Sequence, residues 1–372
     1  MLKAYKYQIY PNKTQKEQIE KQFGACRFVY NWALEQKIKY YETERKSLSC
    51  FAVTNQLTAL KKLDGYIWLN ESIAQSLQMA IRNLDNAFTK FFREKTGFPK
   101  WKSKKNPVQS FQIPQHYTVD FENKKVKLPK IGHIKTSFSR KFEGTCKTAT
   151  VSRTSTGKYY ISILVDDGKE VPNKAPFSDE TTLGVDVGIK DFAILSNGEK
   201  IENPKYLKNS LQRLKVLSKR LSRKQKGSNN WIKAKLKLAK LHEKITNQRN
   251  DFQHKLSLKL VRENQAIALE TLNVQGMVKN HCLAQSISDA GWSSFVSKLE
   301  YKAGWYGKTI LRIGTFEPSS KICSNCGYHN KELTLAVRGW TCPECGMILD
   351  RDVNAAINIK TFALQDQNLI GI

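Results

Sequence analysis

The chain has 372 residues, 40% of them hydrophobic, which is enough for two or three domains and excludes an intrinsically disordered chain. Its 62 Lys and Arg residues against 33 Asp and Glu residues give a formal net charge of +29. Such a charge opposes compaction unless a polyanion neutralises it, so the composition predicts a nucleic-acid partner. An anionic membrane surface is the weaker alternative, because no basic amphipathic helix with a clean apolar face dominates.

The N-terminal segment lacks the continuous apolar run of a signal peptide, and no later run is long enough to span a bilayer. We therefore expect a cytoplasmic protein with no membrane partner. Four of the eight cysteines form two tight pairs near the C-terminus, whereas Cys26, Cys50, Cys146 and Cys282 are scattered. Metal binding plus buried thiols in a reducing compartment fits this pattern better than disulfides.

The N-terminal half changes from a strand pattern to a helix pattern and back. Residues 3–10 alternate polar with aromatic or aliphatic side chains, which predicts a half-buried strand. Apolar residues then recur every three or four positions from Thr14 to about Tyr41 and from about Asn70 to Phe92, which predicts a helical subdomain. From about Ser110 to Val165, short alternating runs predict a small β-barrel or sheet, which the N-terminal strand would complete.

A basic loop with interleaved aromatic residues follows the predicted helices. Aromatic faces can stack on bases and ammonium groups can bind phosphates, so this loop is a candidate surface for single-stranded nucleic acid. Its candidate contact residues are Phe98, Lys100, Trp101, Lys102 and Lys104. The alternative is a solvated linker whose aromatic side chains dock on the core.

A long basic helical region lies in the second half of the chain, after a linker at residues 166–180. One apolar stripe precedes Gly227 and a second follows it, which predicts two packed helices. Their outer faces carry many lysines and arginines and hardly an acid, an arrangement that repels itself unless phosphates neutralise it. We take Arg220, Arg223 and Lys224 as candidate nucleic-acid contacts, since a merely solvated face would normally alternate in sign.

Three acids occupy positions that suggest a catalytic site. Asp186 stands in an apolar, β-branched run, Glu270 ends a short apolar strand, and Asp352 opens a C-terminal helix. Burying an ionised carboxylate is costly unless it is paired, hydrogen-bonded or bound to a metal. We expect the three acids to converge in an RNase H-like fold. There they would hold two Mg²⁺ or Mn²⁺ ions, which suit hard oxygen ligands and can promote phosphodiester hydrolysis.

Four neighbouring residues complete this interpretation. Gly184 and Gly188 are expected to let the scissile phosphate come close to the backbone. Asp191 and Asp350 are the nearest competitors for the ligand roles. We expect Asp191 to point elsewhere, and Asp350 either to support the ligands or to pair with the adjacent arginine.

The most specific motif is a pair of C-x-x-C sequences, each followed by glycine as the tight turns of a zinc ribbon require. Its members are Cys323, Cys326, Cys342 and Cys345. Four thiolates close a tetrahedral site with no position left for water, so the zinc is expected to be structural, with disulfides as the alternative. The ribbon would lie near the cleft, where Arg338 and Trp340 could touch a nucleic-acid strand.

These motifs together resemble the TnpB (OrfB) family of transposon-encoded proteins, relatives of the compact type V CRISPR effectors. The resemblance covers nearly the full length of the chain. It is carried by Tyr7-Gln8-Ile9-Tyr10-Pro11, Phe28-Val29-Tyr30-Asn31-Trp32, the basic loop from Gly97, Gly184-Val185-Asp186-Val187-Gly188, the strand ending at Glu270, both cysteine pairs and Asp350-Arg351-Asp352-Val353-Asn354-Ala355-Ala356.

The resemblance implies an α+β multidomain fold for an RNA-guided DNA endonuclease. Residues 1–12 and 106–180 would form a β-barrel wedge domain, 13–105 a helical recognition insert, 181–319 and 349–372 a RuvC-like nuclease domain, and 320–348 a zinc ribbon. Asp186, Glu270 and Asp352 match the RuvC acids, and the four cysteines match the zinc ligands. The implied partners are a transposon-derived guide RNA and target DNA. The identity of the RNA, the flanking motif and the oligomeric state do not follow from the sequence.

Two other classes of function stay open at this point. A regulator that binds DNA under RNA guidance without cutting is disfavoured by the three intact acids. A transposase or transposition accessory protein is disfavoured by the acid order Asp, Glu, Asp and by the lack of a clear helix-turn-helix.

Overall fold

The computed structural model describes residues 1–315, 317–334 and 336–368, which form two compact units. The first unit is Met1–Lys169, and the second begins at Glu170. Each unit buries a hydrophobic core of its own. Within the described ranges, no helix is both long and apolar enough to cross a membrane.

A seven-stranded antiparallel sheet is the framework of the first unit. Its strands are β1 (Leu2–Tyr10), β2 (Gln109–Ile113), β3 (Thr118–Asp120), β4 (Lys125–Leu128), β5 (Gly132–Ser137), β6 (Thr145–Arg153) and β7 (Tyr159–Asp166). Their spatial order is β2-β6-β7-β1-β5-β4-β3. The N-terminal strand β1 pairs with both β7 and β5, so the prediction that it completes the sheet is confirmed. Because β2 and β3 are the sheet edges, closure into a barrel stays a prediction.

The helices of the first unit pack on one face of this sheet. They are α1 (Lys13–Glu44), α2 (Cys50–Leu60), a 3-10 helix (Asp64–Glu71) and α3 (Ala74–Glu94). Asn12 begins α1 through a capping box with Gln15. The apolar stripes of α1 and α3 share one core with the inner face of the sheet. The two long helices therefore confirm the helical prediction, whereas the periodicity of the sequence does not predict α2.

A five-stranded mixed sheet is the centre of the second unit. Its strands are β8 (Thr182–Asp186), β9 (Asp191–Leu195), β10 (Lys200–Glu202), β11 (Ala266–Glu270) and β12 (Thr309–Ile313), in the order β10-β9-β8-β11-β12. Strands β8, β9 and β10 are antiparallel, and β11 runs parallel to both of its neighbours. A short hairpin of β13 (Gly339–Thr341) and β14 (Ile348–Asp350) carries the second cysteine pair in its turn and leads directly into the last helix.

Helices cover both faces of the five-stranded sheet. They are α4 (Tyr206–Ser222), α5 (Asn229–Glu263), α6 (Val274–Met277), α7 (Ala284–Ala290), α8 (Trp292–Tyr306) and α9 (Arg351–Gln365). Val185 and Leu269 face a core built with α5 and α8, while Ala266 and Ala268 face α9. The predicted pair of packed basic helices is confirmed as α4 and α5, which share a small apolar cluster around Leu241.

Candidate active site

The α9 side of the sheet carries the first two acids. Side chains alternate between the faces of a strand, so Asp186, which follows Val185, points toward α9. Glu270 follows Leu269 and points the same way. Val185 and Leu269 are register partners in the parallel pair β8–β11. Asp186 and Glu270, the next residues along each strand, therefore lie side by side at the strand ends.

Asp352 reaches the same place because α9 packs tightly on β8. Asp350 caps this helix: its Oδ1 accepts hydrogen bonds from the backbone N–H groups of Asp352 at 3.1 Å and Val353 at 3.0 Å. Gly184 permits the close packing, since a Cβ at that position would overlap the carbonyl oxygen of Ala356. This corrects the expectation that Gly184 admits the scissile phosphate, because the backbone that approaches it belongs to α9.

The remaining residues around the acids have structural roles. A Cβ at Gly188 would lie 2.9 Å from the carbonyl oxygen of Asp191, so the hairpin turn itself requires this glycine. Asp350 caps α9 and also accepts a hydrogen bond from Lys200 Nζ at 2.6 Å. Of the two roles considered for Asp350, the structure favours support of the neighbouring acid.

Burial and the neighbouring charges shift the protonation of Asp186. Its pKa is raised to about 7, first by burial and then by the nearby negative charges of Glu270 and Asp352, against the opposing charge of Arg351. Burial also raises the pKa of Glu270. A bound divalent cation would offset both the repulsion and the burial, so the donor set fits Mg²⁺ or Mn²⁺.

Arg338 is a fourth charged residue of this site. Its Nη1 donates to both carboxylate oxygens of Asp352, at 2.9 and 3.2 Å. The sequence placed Arg338 near the cleft as a strand contact but gave no sign of this ion pair, because the two residues meet only through the fold of the ribbon. Arg338 therefore offsets the negative charge of one acid of the cluster.

The three acids lie in one region, but their carboxylate oxygens do not all lie within contact distance of a single ion. Among the described residues, the four cysteines alone form a group of three or more possible ligands whose binding atoms all lie within 4.8 Å of one another. At least one pair of acids is therefore further apart, with Asp352 held by Arg338. Two ions about 4 Å apart do not require a tighter group, because different acids can bind different ions.

The cysteine cluster has the dimensions of a zinc site. Sγ of Cys323 and Sγ of Cys345 are 3.7 Å apart, and those of Cys326 and Cys342 are 3.5 Å apart. Tetrahedral zinc with Zn–S bonds of about 2.3 Å separates its sulfurs by about 3.8 Å, whereas a disulfide bond is about 2 Å long. All four cysteines are free thiols, so the ligand set fits structural zinc and the disulfide alternative is wrong.

Two buried asparagines of α9, whose structural role the sequence does not reveal, join this helix to the cysteine ribbon. Asn354 accepts from the backbone N–H of Ser324 at 2.8 Å and donates to the carbonyl oxygen of Ile322 at 2.7 Å. Asn358 Nδ2 donates to the carbonyl oxygens of Ser319 at 2.7 Å and Ile322 at 2.6 Å. In the sequence, the two asparagines can be recognised by their spacing of four positions on an otherwise apolar face of the helix. One helix thus carries the third acid and supports the first cysteine pair.

A basic cleft borders the acids. Lys190, Lys205, Lys208 and Arg338 line a cavity of about 580 Å³. Arg338 also contacts Asp352 and so links this cavity to the acid cluster. Phosphates of a strand lying in the cleft would be attracted to the three lysines.

The predicted contact residues of the basic helices are exposed. They are Arg220, Arg223 and Lys224, at the end of α4. Arg249 of α5 differs, because its Nη1 donates to the carbonyl oxygen of Ser288 at 2.7 Å and so serves the fold. The outer face of α4 and α5 remains a predicted nucleic-acid surface.

The predicted contacts in the basic loop are all exposed, and two of them also contact the helices. Lys100, Trp101 and Lys104 are exposed. Lys102 is exposed as well, but it places its Nζ 4.0 Å from the ring centre of Tyr30. Phe98 packs against two phenylalanines of α3, while 48% of its surface stays exposed. The alternative that the aromatic residues of the loop dock on the core is therefore correct in part for this residue.

Comparisons with known proteins agree with this geometry. Residues 162–281 match the family model OrfB_IS605, described as "Probable transposase", and residues 292–359 match a Cas12f1-like TNB domain. The "Putative RNA-guided DNA endonuclease" of Streptomyces pristinaespiralis is 39% identical over 365 residues, which cover 97% of this chain and 89% of the relative. The chain belongs to the TnpB (OrfB) family. "Putative RNA-guided DNA endonuclease InsQ" of Escherichia coli (strain K12) is 33% identical over 373 residues, covering 96% of this chain and 91% of InsQ.

The fold of this TnpB-family chain is also similar to that of a compact Cas12 effector. The structure described as "Cryo-EM structure of the Cas12f1-sgRNA-target DNA complex" superposes with a TM-score of 0.59 and 16% identity. The match covers 97% of this chain and 98% of the Cas12f1 chain. The α+β class of the prediction is confirmed by this likeness of fold.

The N-terminal residues of this TnpB-family chain do not form a helix-turn-helix. Residues 1–46 match a model with that description. All of them are described by the structure, and they form strand β1 and one uninterrupted helix of 32 residues, Lys13–Glu44. The family match therefore differs from the expectation that the chain has no clear helix-turn-helix; within residues 1–46 the structure has this one helix, and α2 begins at Cys50.

Proposed function

We propose that this TnpB-family chain is an RNA-guided DNA endonuclease that hydrolyses phosphodiester bonds at Asp186, Glu270 and Asp352. The observation that carries the proposal is the convergence of these acids, two from adjacent strand ends and one from a helix packed on the same strand. Burial first, and then repulsion by the other two acids, raises the pKa of Asp186, and a bound divalent cation would offset both effects. The names of two relatives that align with nearly the whole chain support the same activity.

The architecture supports a RuvC-like nuclease domain of the RNase H-like class. The sheet has three antiparallel strands followed by two parallel strands. Acids lie at the strand ends and a helix crosses the central strand, which fits this assignment. We keep the predicted domain plan. It consists of a wedge domain at 1–12 and 106–180, a recognition domain at 13–105, a nuclease domain at 181–319 and 349–372, and a zinc ribbon at 320–348.

Asp186, Glu270 and Asp352 would hold two Mg²⁺ or Mn²⁺ ions, and the four cysteines would hold a structural Zn²⁺. Ions held there would supply an activated water and charge stabilisation for the leaving oxygen. Asp186 lies in the middle of the acid cluster, beside Glu270 and within the field of Asp352. Arg338 holds Asp352 through its guanidinium, and the same group would suit a phosphate oxygen beside the site if Asp352 were a metal ligand.

The proposed partners are a transposon-derived guide RNA and a target DNA strand. The basic cleft of Lys190, Lys205 and Lys208 gives the scissile strand a path to the acids. The outer face of α4 and α5 offers a larger positive surface for the RNA backbone. Purifying the chain from its host and sequencing the RNA bound to it identifies the guide.

Asp186→Ala tests the catalytic proposal. Cleavage of a guide-matched plasmid should fall at least about a thousand-fold, which corresponds to about 4 kcal/mol of transition-state stabilisation. Binding of RNA and DNA, measured in parallel, should be retained. Asp251→Ala, at an exposed acid of α5, is the control and should cleave normally. Undiminished cleavage by Asp186→Ala contradicts the assignment.

The family description "Probable transposase" favours one other candidate, DNA strand transfer at the same three acids. Incubation with transposon-end DNA and a target plasmid separates the two reactions. Joined products would support transfer, whereas nicked or linearised plasmid alone would support hydrolysis.

A further inference from the structure

We propose that an aromatic cavity in the first unit holds an unpaired base of the guide RNA. This inference rests on the proposed RNA-guided function and adds a specific contact to it. The cavity has a volume of about 300 Å³, at the lower end of the range for small-molecule pockets. Its walls come from the end of α1, the end of α3 and the basic loop, and its aromatic residues are Tyr41, Phe88, Phe91, Phe92 and Phe98.

The phenylalanines form one cluster whose outer members remain open to solvent. The ring of Phe98 meets those of Phe88 and Phe91 edge to face, with centroids 5.5 Å apart in each pair. Phe92 lies 5.0 Å from Phe91. Even so, Phe92 is 70% exposed, Tyr41 is 54% exposed and Phe98 is 48% exposed. Adjacent exposed rings of this kind mark a binding surface, because they gain most from a flat apolar ligand.

The loop that carries Phe98 is fixed before any ligand binds. Asn31 of α1 accepts from the backbone N–H of Lys102 at 2.8 Å and donates to its carbonyl oxygen at 3.0 Å. The ammonium group of Lys102 lies over the ring of Tyr30, and Pro99 is buried. A preorganised loop loses little conformational entropy on binding, which favours a stacking role over that of a mobile linker.

The charge around the cavity selects a polyanion as the partner. Residues 88–105 contain seven basic residues and one acid, Glu94. The basic ones are Lys90, Arg93, Lys95, Lys100, Lys102, Lys104 and Lys105. Bases that stack on phenylalanines and phosphates that bind lysines belong to single-stranded nucleic acid. A second copy of this chain fits poorly, because it would bring the same positive charge to the surface.

Two polar residues in the cavity wall favour RNA. Glu42 and Ser47 line the pocket beside the rings. A carboxylate repels phosphate but accepts hydrogen bonds from base amino groups and from a ribose 2′-hydroxyl, which DNA lacks. A guide RNA is also the permanent partner under the proposed function, so it would cover these rings for most of the lifetime of the protein.

The test uses the full-length chain and 20-nucleotide single strands of one sequence, made as RNA and as DNA, each with one photoreactive thio-base. Binding is measured by fluorescence anisotropy, and crosslinked peptides are identified by mass spectrometry. The double variant Phe92→Ala/Phe98→Ala should raise the Kd for RNA by about five-fold to a hundred-fold and remove the crosslinks to residues 91–98. Phe51→Ala, at an aromatic residue of α2 that is 76% exposed, is the matched control and should change neither.

The outcomes separate this inference from the proposed function. RNA binding that is tight but unaffected by the double variant overturns the cavity assignment alone. A chain that binds neither strand overturns both proposals. An equal loss of affinity for RNA and DNA, or a concentration-dependent dimer that the double variant abolishes, overturns the choice of RNA. Circular dichroism melts of the variants verify folding, which the exposure of Phe92 should leave intact.

Discussion

The second unit contains two clusters of metal-ligand side chains that are built in opposite ways. The four cysteines come from two tight turns within residues 323–345, and their sulfurs all lie within 4.8 Å of one another, two pairs of them at 3.7 and 3.5 Å. The three acids come from positions 186, 270 and 352, and one of them is paired with Arg338. A closed set of ligands suits a structural ion, whereas an incomplete set beside a basic cleft suits an ion that shares its coordination with a substrate.

This difference predicts opposite effects on stability. Thiolates around a bound metal stabilise the fold, because the unfolded chain has no preformed site. Carboxylates crowded together without metal destabilise it, because their charges repel and Asp186 is partly buried. Losing a cysteine should therefore weaken the protein, and neutralising an acid should strengthen it while abolishing cleavage.

The largest expected effect is that of Cys342→Ser. Removing one of four thiolates should release the zinc and unfold the ribbon, since binding to structural zinc sites contributes on the order of 10 kcal/mol. Zinc content by chelator titration and thermal unfolding by circular dichroism measure the loss. Cys146→Ser, at an exposed cysteine outside the cluster, should retain both metal and melting temperature. Equal melting of the two variants would show that the cysteine cluster has no structural role.

Asn358→Ala should have the next largest effect. The substitution leaves the carbonyl oxygen of Ser319 without its side-chain donor and removes one of two donors to Ile322. We expect a loss of about 2 to 3 kcal/mol in the free energy of unfolding, with zinc still bound. Urea unfolding provides the measurement, and Asn230→Ala, on the exposed first turn of α5, is the control. An unchanged urea midpoint would mean that ribbon and helix dock independently of Asn358.

The two clusters also differ in how far the sequence predicts them. The cysteine spacing is a local signal, so the ligands and the closed geometry follow from it directly. The acids are separated by more than eighty residues, and only the end of each apolar run marks them. Strand alternation and register then bring Asp186 and Glu270 together, which the strand patterns allow one to expect.

What the sequence does not predict depends on contacts between distant segments. Gly184 reads as a phosphate-approach residue, although the close neighbour is the backbone of α9. Arg338 gives no local sign of its ion pair with Asp352. In the first unit, the strand order β2-β6-β7-β1-β5-β4-β3 brings the first strand between later ones, which composition and periodicity suggest but do not specify. The nucleic-acid contacts on α4 and in the basic loop remain predictions.

Asp186→Asn measures how much the crowded acids destabilise the folded protein. The pKa of Asp186 rises from 3.8 to about 7 on folding, so its ionisation opposes folding above pH 7 and has no effect below about pH 4. In EDTA at pH 8, we expect the variant to be more stable than the wild type by about 1 to 3 kcal/mol, with the advantage disappearing toward pH 4. Added Mg²⁺ should reverse the order. A variant less stable at every pH would contradict the crowding of the acids.

The smallest effect concerns a buried cation on the opposite face of the same sheet. Lys302 Nζ donates to neutral acceptors, the hydroxyl of Ser257 at 2.8 Å and the carbonyl oxygen of His254 at 2.6 Å. Burial lowers the pKa of Lys302 from 10.5 to about 8, and the charges of Lys298 and Arg262 act in the same direction. Charging Lys302 therefore opposes folding below pH 8, and this cost disappears as the pH rises to about 10.5.

Lys302→Met removes the buried charge but also two hydrogen bonds. The net effect should be an increase of about 1 kcal/mol in the free energy of unfolding at pH 7. The advantage should shrink to zero or reverse by pH 10, where the wild-type lysine is neutral in the folded state. Urea unfolding of both proteins across this pH range measures the difference in their free energies of unfolding. The contributions of other titrating groups cancel in this difference. Parallel profiles would show that Lys302 keeps its charge, and that burial without a counter-ion costs this sheet less than crowded carboxylates do.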